Sequence, residues 1–503
     1  MKKKFISAIA VFSLLALGVS CTDDFVDRKP PYSIDGENYF NSQQDYEQAL
    51  IGVYDLLQST YINVLMGEIA SDNTFAGGES ASDVPGFVQI DQMSHTPVNP
   101  QLKNLWDWMF AGVNRANYIL EFKDKTDFEG KEHIIAQTRF LRAYYHFELV
   151  KWFGAIPLKG DARFLLGDET KIPRSATADV YAEIESDLQY AVANLDPNES
   201  IPGRVTVGAA RALLGKVYLY QNKYPQAAEA FEGVIASGKY SLVQDYGSIF
   251  NNNNENNSES VFEVQYTDAE GGSFTCLQCA EGNVAVGFNG PRAFDGPFYE
   301  SGYSFNVPTQ QAYDAFESGD LRRDASILNI VTFGAQYADW ENADYRAGRG
   351  EKGVLYGRGY QHTGFYNRKY LPQKGDANIP DVNLTNPNNY RAIRYADVLL
   401  MAAEAYNKAG NDTKALQYVN MVRARAFGDN NHNLSGSGAG LGDLIWRERR
   451  SELVGEGHRF FDLVRTGRGI EIPGFTPDKN EVFPIPIEEI QFSNGNWKQN
   501  PGY

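Results

Sequence analysis

Cys21 is the residue with the clearest chemical prospect. It follows Lys2 to Lys4, an apolar run from Phe5 to Val19 and Ser20, and it precedes Thr22, Asp23 and Asp24. A basic start with an apolar stretch shorter than the ~20 residues of a spanning helix is a secretory leader. A cysteine directly after Leu17-Gly18-Val19-Ser20 resembles a bacterial lipobox, in which the thiol receives diacylglycerol. Residues 1–20 are therefore expected to leave as a lipoprotein signal peptide, with Cys21 lipidated at the head of the mature chain. Each buried methylene adds ~0.8 kcal/mol of membrane affinity, so several acyl chains tether a protein durably without spanning the bilayer.

Other reactive constellations find no such support. The six histidines (His95, His133, His146, His362, His432 and His458) include no His-Glu-x-x-His pair, and no Gly-x-Ser-x-Gly elbow is present. Glycosidic hydrolysis needs two carboxyl groups at a set separation, and 64 acidic residues single out no pair. Glu448, Glu452 and Glu456 fall four apart beside Arg449 and Arg450, the pattern of a structural ion-pair lattice. The run Gly436 to Gly442 lacks the spacing of a dinucleotide loop and reads as a flexible connection. Cys276-Leu-Gln-Cys279 lies in a Gly-rich stretch and reads first as a local disulfide, since neither a redox helix nor two further zinc ligands accompany it. Neither a cofactor nor a metal is expected.

Three of the 46 basic residues leave with the leader and no acidic one does, so the mature chain carries 43 against 64, a net −21. That balance argues against nucleic acid and anionic head groups, which need clustered Lys and Arg. Hydrophobic residues at 43% and aromatic ones at 13% supply a sizeable core and exclude wholesale disorder.

The elements that must position any site are mostly helical. Apolar periodicity predicts helices at 43–58, 102–121, 133–153, 178–193, 207–221, 225–236, 394–408, 413–425 and 443–454. Leu214-Gly215-x-x-Tyr218, followed by Ala227 and Phe231, has the spacing of a tetratricopeptide pair, with small residues allowing close approach and aromatic ones filling the groove. Ala402-Ala403-x-x-Tyr406 with Ala415 and Val419 is a second copy. Between about 240 and 390 the pattern changes to an Asn tract, Gly-rich and aromatic stretches, and short alternating runs such as Val261 to Tyr266 and Gly364 to Tyr370 that read as strands. The expectation is a mostly α fold of tetratricopeptide-like helix pairs, with arms at about 40–240 and 390–465 flanking a loop-rich insertion at about 240–390, all within one mature domain, 21–503.

Several stretches together resemble the SusD/RagB family of outer-membrane nutrient-binding lipoproteins. They are Arg139-Phe-Leu-Arg-Ala-Tyr-Tyr-His-Phe through Phe153-Gly-x-Ile-Pro-Leu158, Trp446-Arg-Glu-Arg-Arg-x-Glu-Leu453 through Glu456-Gly-His-Arg459 with Asp462-Leu463, and Phe483-Pro-Ile-Pro-Ile-Glu-Glu-Ile490 through Gln499-Asn-Pro-Gly-Tyr503. The resemblance implies a lipid-anchored protein on the outer membrane, facing the exterior. It also implies an oligosaccharide as cargo and a SusC-like TonB-dependent transporter as the partner that receives it. Peptide capture of the RagB kind is the alternative within binding, and a surface glycoside hydrolase is the alternative of another class.

A sugar-binding loop surface needs flat aromatic faces with Asp, Asn, Gln or Arg beside them. Glu68 to Asn99 supplies Asp72, Asn73, Phe75, Phe87, Gln89, His95 and Asn99, and Phe274 to Trp340 supplies Phe288, Phe294, Phe298, Tyr299 and Trp340. The expected glycan contacts are Asp72, Asn73, Phe75, His95, Phe294, Phe298, Tyr299 and Trp340. Trp340, between Asp339 and Glu341, is the one tryptophan of six outside a helical block or the tail motif. One buried sugar face is worth roughly 1–2 kcal/mol, so two or three platforms give a Kd between about 1 mM and 1 μM.

Overall fold

The computed structural model describes residues 38–377 and 383–503, so Cys21 lies outside the described residues. The principal helices are α1 (Gln43–Asp55), α2 (Tyr61–Ile69), α3 (Pro85–Asp91), α4 (Pro100–Glu121), α5 (Lys131–Phe153), α6 (Thr177–Asn194), α7 (Val207–Tyr220), α8 (Tyr224–Ile235), α9 (Val284–Asn289), α10 (Tyr395–Lys408), α11 (Asp412–Phe427), α12 (Gly438–Leu453) and α13 (Arg459–Arg465). The strands are β1 (Thr74–Gly77), β2 (Ile156–Pro157), β3 (Arg174–Ser175), β4 (Ser260–Val264), β5 (Phe305–Pro308), β6 (Ile327–Asn329), β7 (Phe365–Asn367) and β8 (Tyr390–Arg394). The mostly helical class with a strand-bearing insertion is therefore observed. Among the described residues no helix is long and apolar enough to cross a membrane.

Helix starts follow local chemistry. Ser42 accepts from Asp45 N while the Asp45 carboxylate reaches back to the Ser42 amide, a capping box that opens α1. Asn99 caps α4 through Gln101 N and Leu102 N, and Pro100 fills the first position, where its missing N–H costs nothing. α5 runs through the interior and is buried on nearly every side, so it lacks the single apolar stripe of a surface helix. Gly112 on α4 lets α5 approach: a Cβ there would meet the Tyr145 ring at 2.6 Å. The Tyr145 hydroxyl in turn donates to Val53 O at 2.6 Å, tying α1 to α5.

The pair α7–α8 bears out the close approach expected at Gly215, where a Cβ would lie 2.5 Å from Phe231. Phe231 is fully buried, whereas Tyr218 is half-exposed and its hydroxyl accepts from Gln189 Nε2, so only Phe231 fills the groove between the two helices. α10 and α11 form the second pair through buried Ala402, Ala403, Ala415 and Val419. The glycine run differs from expectation: Gly438 already opens α12. Gly438 N donates to Asp412 Oδ2, its carbonyl accepts from Asn407 Nδ2, and Leu441 is fully buried, so tertiary bonding overrides weak helix propensity.

The strands form four two-stranded antiparallel sheets: β1–β5, β2–β3, β4–β8 and β6–β7. β1 meets β5 with Thr74 opposite Pro308 and Gly77 opposite Phe305, which joins the early part of the first helical arm to the middle of the insertion. Gly77 and Gly78 have φ of +74° and +94°, and a Cβ at Gly77 would fall 2.3 Å from Ser304 O, so only glycine fits this crossing.

A buried ionic lattice joins the insertion to the C-terminal arm. Arg322 donates to Glu448 at 2.6 Å and Glu452 at 3.0 Å; Arg394 reaches Glu259, Glu452 and Glu456 at 2.6–2.8 Å; Arg425 reaches Glu452 at 2.7 Å; Lys369 reaches Glu456 at 2.6 Å. The acidic row on α12 is structural, as its spacing suggested, but its cations come from other parts of the chain. Arg449 pairs instead with Asp397 and Asp462.

Candidate functional site

Two loop systems on either side of the β1–β5 crossing enclose a cleft of about 430 Å³. Its floor is aromatic. Phe87 of α3, Phe288 of α9 and Phe305 of β5 pack edge-on with ring centroids 5.1–6.2 Å apart, and all three are buried. Above them stand half-buried Tyr303, 5.9 Å from Phe288, and exposed Phe274, which meets Tyr303 edge-on at 5.6 Å. Tyr303 and Phe274 offer ring surface to an apolar face of a ligand, and the three buried phenylalanines back them.

The rim is polar. Arg292 donates to Glu79 Oε2 at 3.4 Å, Asp83 Oδ2 at 3.3 Å and Tyr303 O at 3.1 Å, bridging the two loops, while Gln101 and Asn104 of α4 line the same space. Asp83 Oδ2 also accepts from Glu79 N at 2.9 Å, which fixes the turn after Gly78. Tyr303 is placed by its amide, which donates to Gly287 O at 2.9 Å, and by Arg292 at its carbonyl. The 273–280 loop that carries Phe274 and Leu277 is closed by a disulfide between Cys276 and Cys279.

The geometry can hold a ring-shaped ligand against aromatic faces while the rim serves its polar edge. Two other spaces fit this less well. A cavity of about 40 Å³ between Lys151, Lys216, Glu148 and His458 has room for a few waters only. A groove of about 310 Å³ beside Trp106, Phe110, Phe164 and Trp497 offers mainly an apolar wall. Among the described residues no cluster of His, Cys, Asp and Glu could hold a metal ion.

Several residues expected to touch ligand are instead structural. Asp72 is buried in a bidentate pair with Arg459 at 2.7 and 2.9 Å; burial would raise its carboxyl, but Arg459 and Arg450 hold it below the usual range. Asn73, fully buried, accepts from Arg450 Nε at 2.9 Å. His95 stacks on Phe483 at 4.2 Å with Nε2 2.8 Å from the Tyr503 hydroxyl, and burial, with Lys479 nearby, presses its pKa down to about 4. Phe294 and Tyr299 pack with Phe333 and Tyr366 in a small separate core. None of these five reaches the cleft, because each satisfies a distant part of the chain.

Phe75 is half-exposed on β1, outside the residues that line the cleft. Trp340 is half-buried, donating Nε1 to Asp295 Oδ1 at 2.9 Å, with Lys374 Nζ 5.1 Å over its ring. Phe298 is 57% exposed at φ +69° and leans edge-on against Tyr337 at 5.6 Å. Phe87 and Phe288 do reach the cleft, as its floor. Glu79, Asp83, Arg292 and Tyr303, which carry most of its polar character, lie inside the two expected regions but were not singled out. The signal available was Gly77-Gly78 followed by Glu-Ser-Ala-Ser-Asp, a turn with acidic residues at both ends.

The family model for SusD matches residues 248–471, and one described as starch-binding, associating with the outer membrane, matches 24–219. A solved laminarin-binding SusD-like protein is 32% identical and superposes with a TM-score of 0.81 over 92% of this chain and 100% of its own. The chain belongs to the SusD family. A surface glycan-binding protein A from Bacteroides thetaiotaomicron, solved in complex with laminarihexaose, is 26% identical with a TM-score of 0.80, covering 91% of this chain and 99% of that one. A SusD-like protein of Formosa agariphila is 26% identical over 97% of both chains. The helical pairs and the insertion described above are thus the SusD fold.

Proposed function

We propose that this SusD-family protein is a surface lipoprotein that binds a glycan non-covalently in the 430 Å³ cleft and hands it to a SusC-like TonB-dependent transporter in the outer membrane. The observation that carries the reading is the pairing of an aromatic floor (Phe87, Phe288, Phe305, with Tyr303 and Phe274 above) with a rim of Arg292, Glu79, Asp83, Gln101 and Asn104. The laminarin-binding and laminarihexaose-bound relatives support a glucan as the first ligand to try.

The mature unit is read as one domain from Cys21 to Tyr503, tethered by lipid at Cys21 and facing outward. No chemical step is assigned; the rim carboxylates Glu79 and Asp83 both face Arg292. Phe298 and Trp340 remain candidates for contact with a longer chain. A panel of laminarihexaose, starch oligosaccharides and peptides tests the reading by calorimetry and product analysis. Retention of a glycan without cleavage, weakened by about tenfold in Tyr303→Ala, is the expected outcome. Released sugars would show an enzyme, and uptake of peptides alone would replace glycan by peptide.

A further inference from the structure

The loop from Ser273 to Ala280 supplies Phe274 and Leu277 to the cleft, yet its own hydrogen bonds are short-range. Cys276 N donates to Ser273 O at 3.1 Å, Cys279 N to Cys276 O at 3.2 Å and Ala280 N to Leu277 O at 3.3 Å. Ser273 and Thr275 pair their hydroxyls at 2.9 Å. These bonds shape a turn and do not fasten it to the floor. Gly271, Ser273, Phe274, Thr275, Gln278 and Cys279 are exposed, so burial contributes little there. Ala280 at the loop's end is buried in the main core and Leu277 packs against that core, while Cys276 and Cys279 enclose Leu277 in a covalent ring. A loop with few buried contacts is drawn from the easily opened end of a structure, and closing it covalently removes the open conformers.

We propose that the Cys276–Cys279 disulfide is the positioning element that presents Phe274 and Leu277 to the cleft, so that ligand affinity depends on the oxidation state of this pair. The proposal rests on the cleft being the binding site. Cys279 is exposed and Cys276 half-exposed, so a soluble dithiol can reach the bond. Reduction adds two electrons and two protons, breaks the Sγ–Sγ bond and leaves two thiols, while the dithiol closes to its own disulfide. The freed loop must then be ordered at each binding event, and affinity falls.

The test titrates laminarihexaose into the oxidised chain, the dithiothreitol-treated chain and Cys276→Ser/Cys279→Ser, with Tyr303→Ala alongside. The expected result is a Kd weaker by about tenfold in both the treated wild type and the double variant, with no further response of the double variant to dithiothreitol. The thermal midpoint should move by no more than about 2 °C, because the loop adds little to the core. An unchanged Kd overturns the proposal, as does a loss of affinity matched by a large fall in midpoint, which would mark a general structural role. If oxidised wild type binds the hexasaccharide and Tyr303→Ala binds it about tenfold more weakly, while the disulfide variants bind normally, this inference alone fails. Binding by no variant, wild type included, removes the cleft reading beneath it.

Discussion

The ionic lattice on α12 and the rim of the cleft are built from the same residue types and behave as opposites. In the lattice, Arg322, Arg394 and Arg425 surround Glu452 with side chains no more than 1% exposed. At the rim, Arg292 faces Glu79 and Asp83 with side chains 26%, 70% and 30% exposed. Removing one partner from a buried set leaves a charge with no solvent to receive it, whereas an exposed pair gives up little when it opens. The lattice therefore holds the fold and cannot exchange partners. The rim can let go of its own pairs and take hydroxyls instead.

Breaking the lattice gives the largest expected effect. Glu452→Gln should cost on the order of 3–5 kcal/mol of stability, read by chemical denaturation. A change under about 1 kcal/mol would mean that the lattice is as loose as the rim.

Acid sharpens the same contrast. Burial presses His146 and His458 to about 3 and His95 to about 4. Their folded pKa lies below the unfolded value near 6.5, so the unfolded chain takes up protons first as pH falls. Stability should drop from about pH 6.5 toward 4, by at most about 1.4 kcal/mol per pH unit for each histidine. Denaturation curves between pH 7 and 4 check this, and a flat profile would show that these rings are not held neutral in the fold.

At the cleft, Tyr303→Ala should weaken glycan binding by about tenfold through the lost stacking face while leaving the denaturation midpoint in place. Isothermal titration decides, and equal affinity would remove Tyr303 from the site. The smallest effect is expected for Arg292→Ala: a two- to fivefold weaker Kd with under about 1 kcal/mol change in stability. Loss of folding in that variant would erase the distinction between the two regions.

Helix positions were legible because apolar spacing is a local property, and the nine expected helices are observed with ends shifted by a few residues. α2, α3 and α9 were not legible: at 9, 7 and 6 residues each gives too few turns for the apolar spacing to repeat. The two regions around the cleft were legible as loop-rich and aromatic, but the choice of residues within them was not. Asp72 is committed to Arg459, 387 positions away, and His95 to Tyr503, 408 positions away. Nothing near either residue in sequence announces the partner. Exposure depends on such long-range pairings, so residue type alone favoured groups that the fold had already used.

The β1–β5 crossing carries a kinetic implication. It joins Thr74 to Pro308, and the cleft walls arrive from 79–104 and 274–305, so its two halves are separated by well over a hundred residues of intervening chain. Contacts of such long range form late, after the local helical pairs. A nascent polypeptide would thus acquire its scaffold before its grip, and would be unable to seize a ligand until the two distant halves had met.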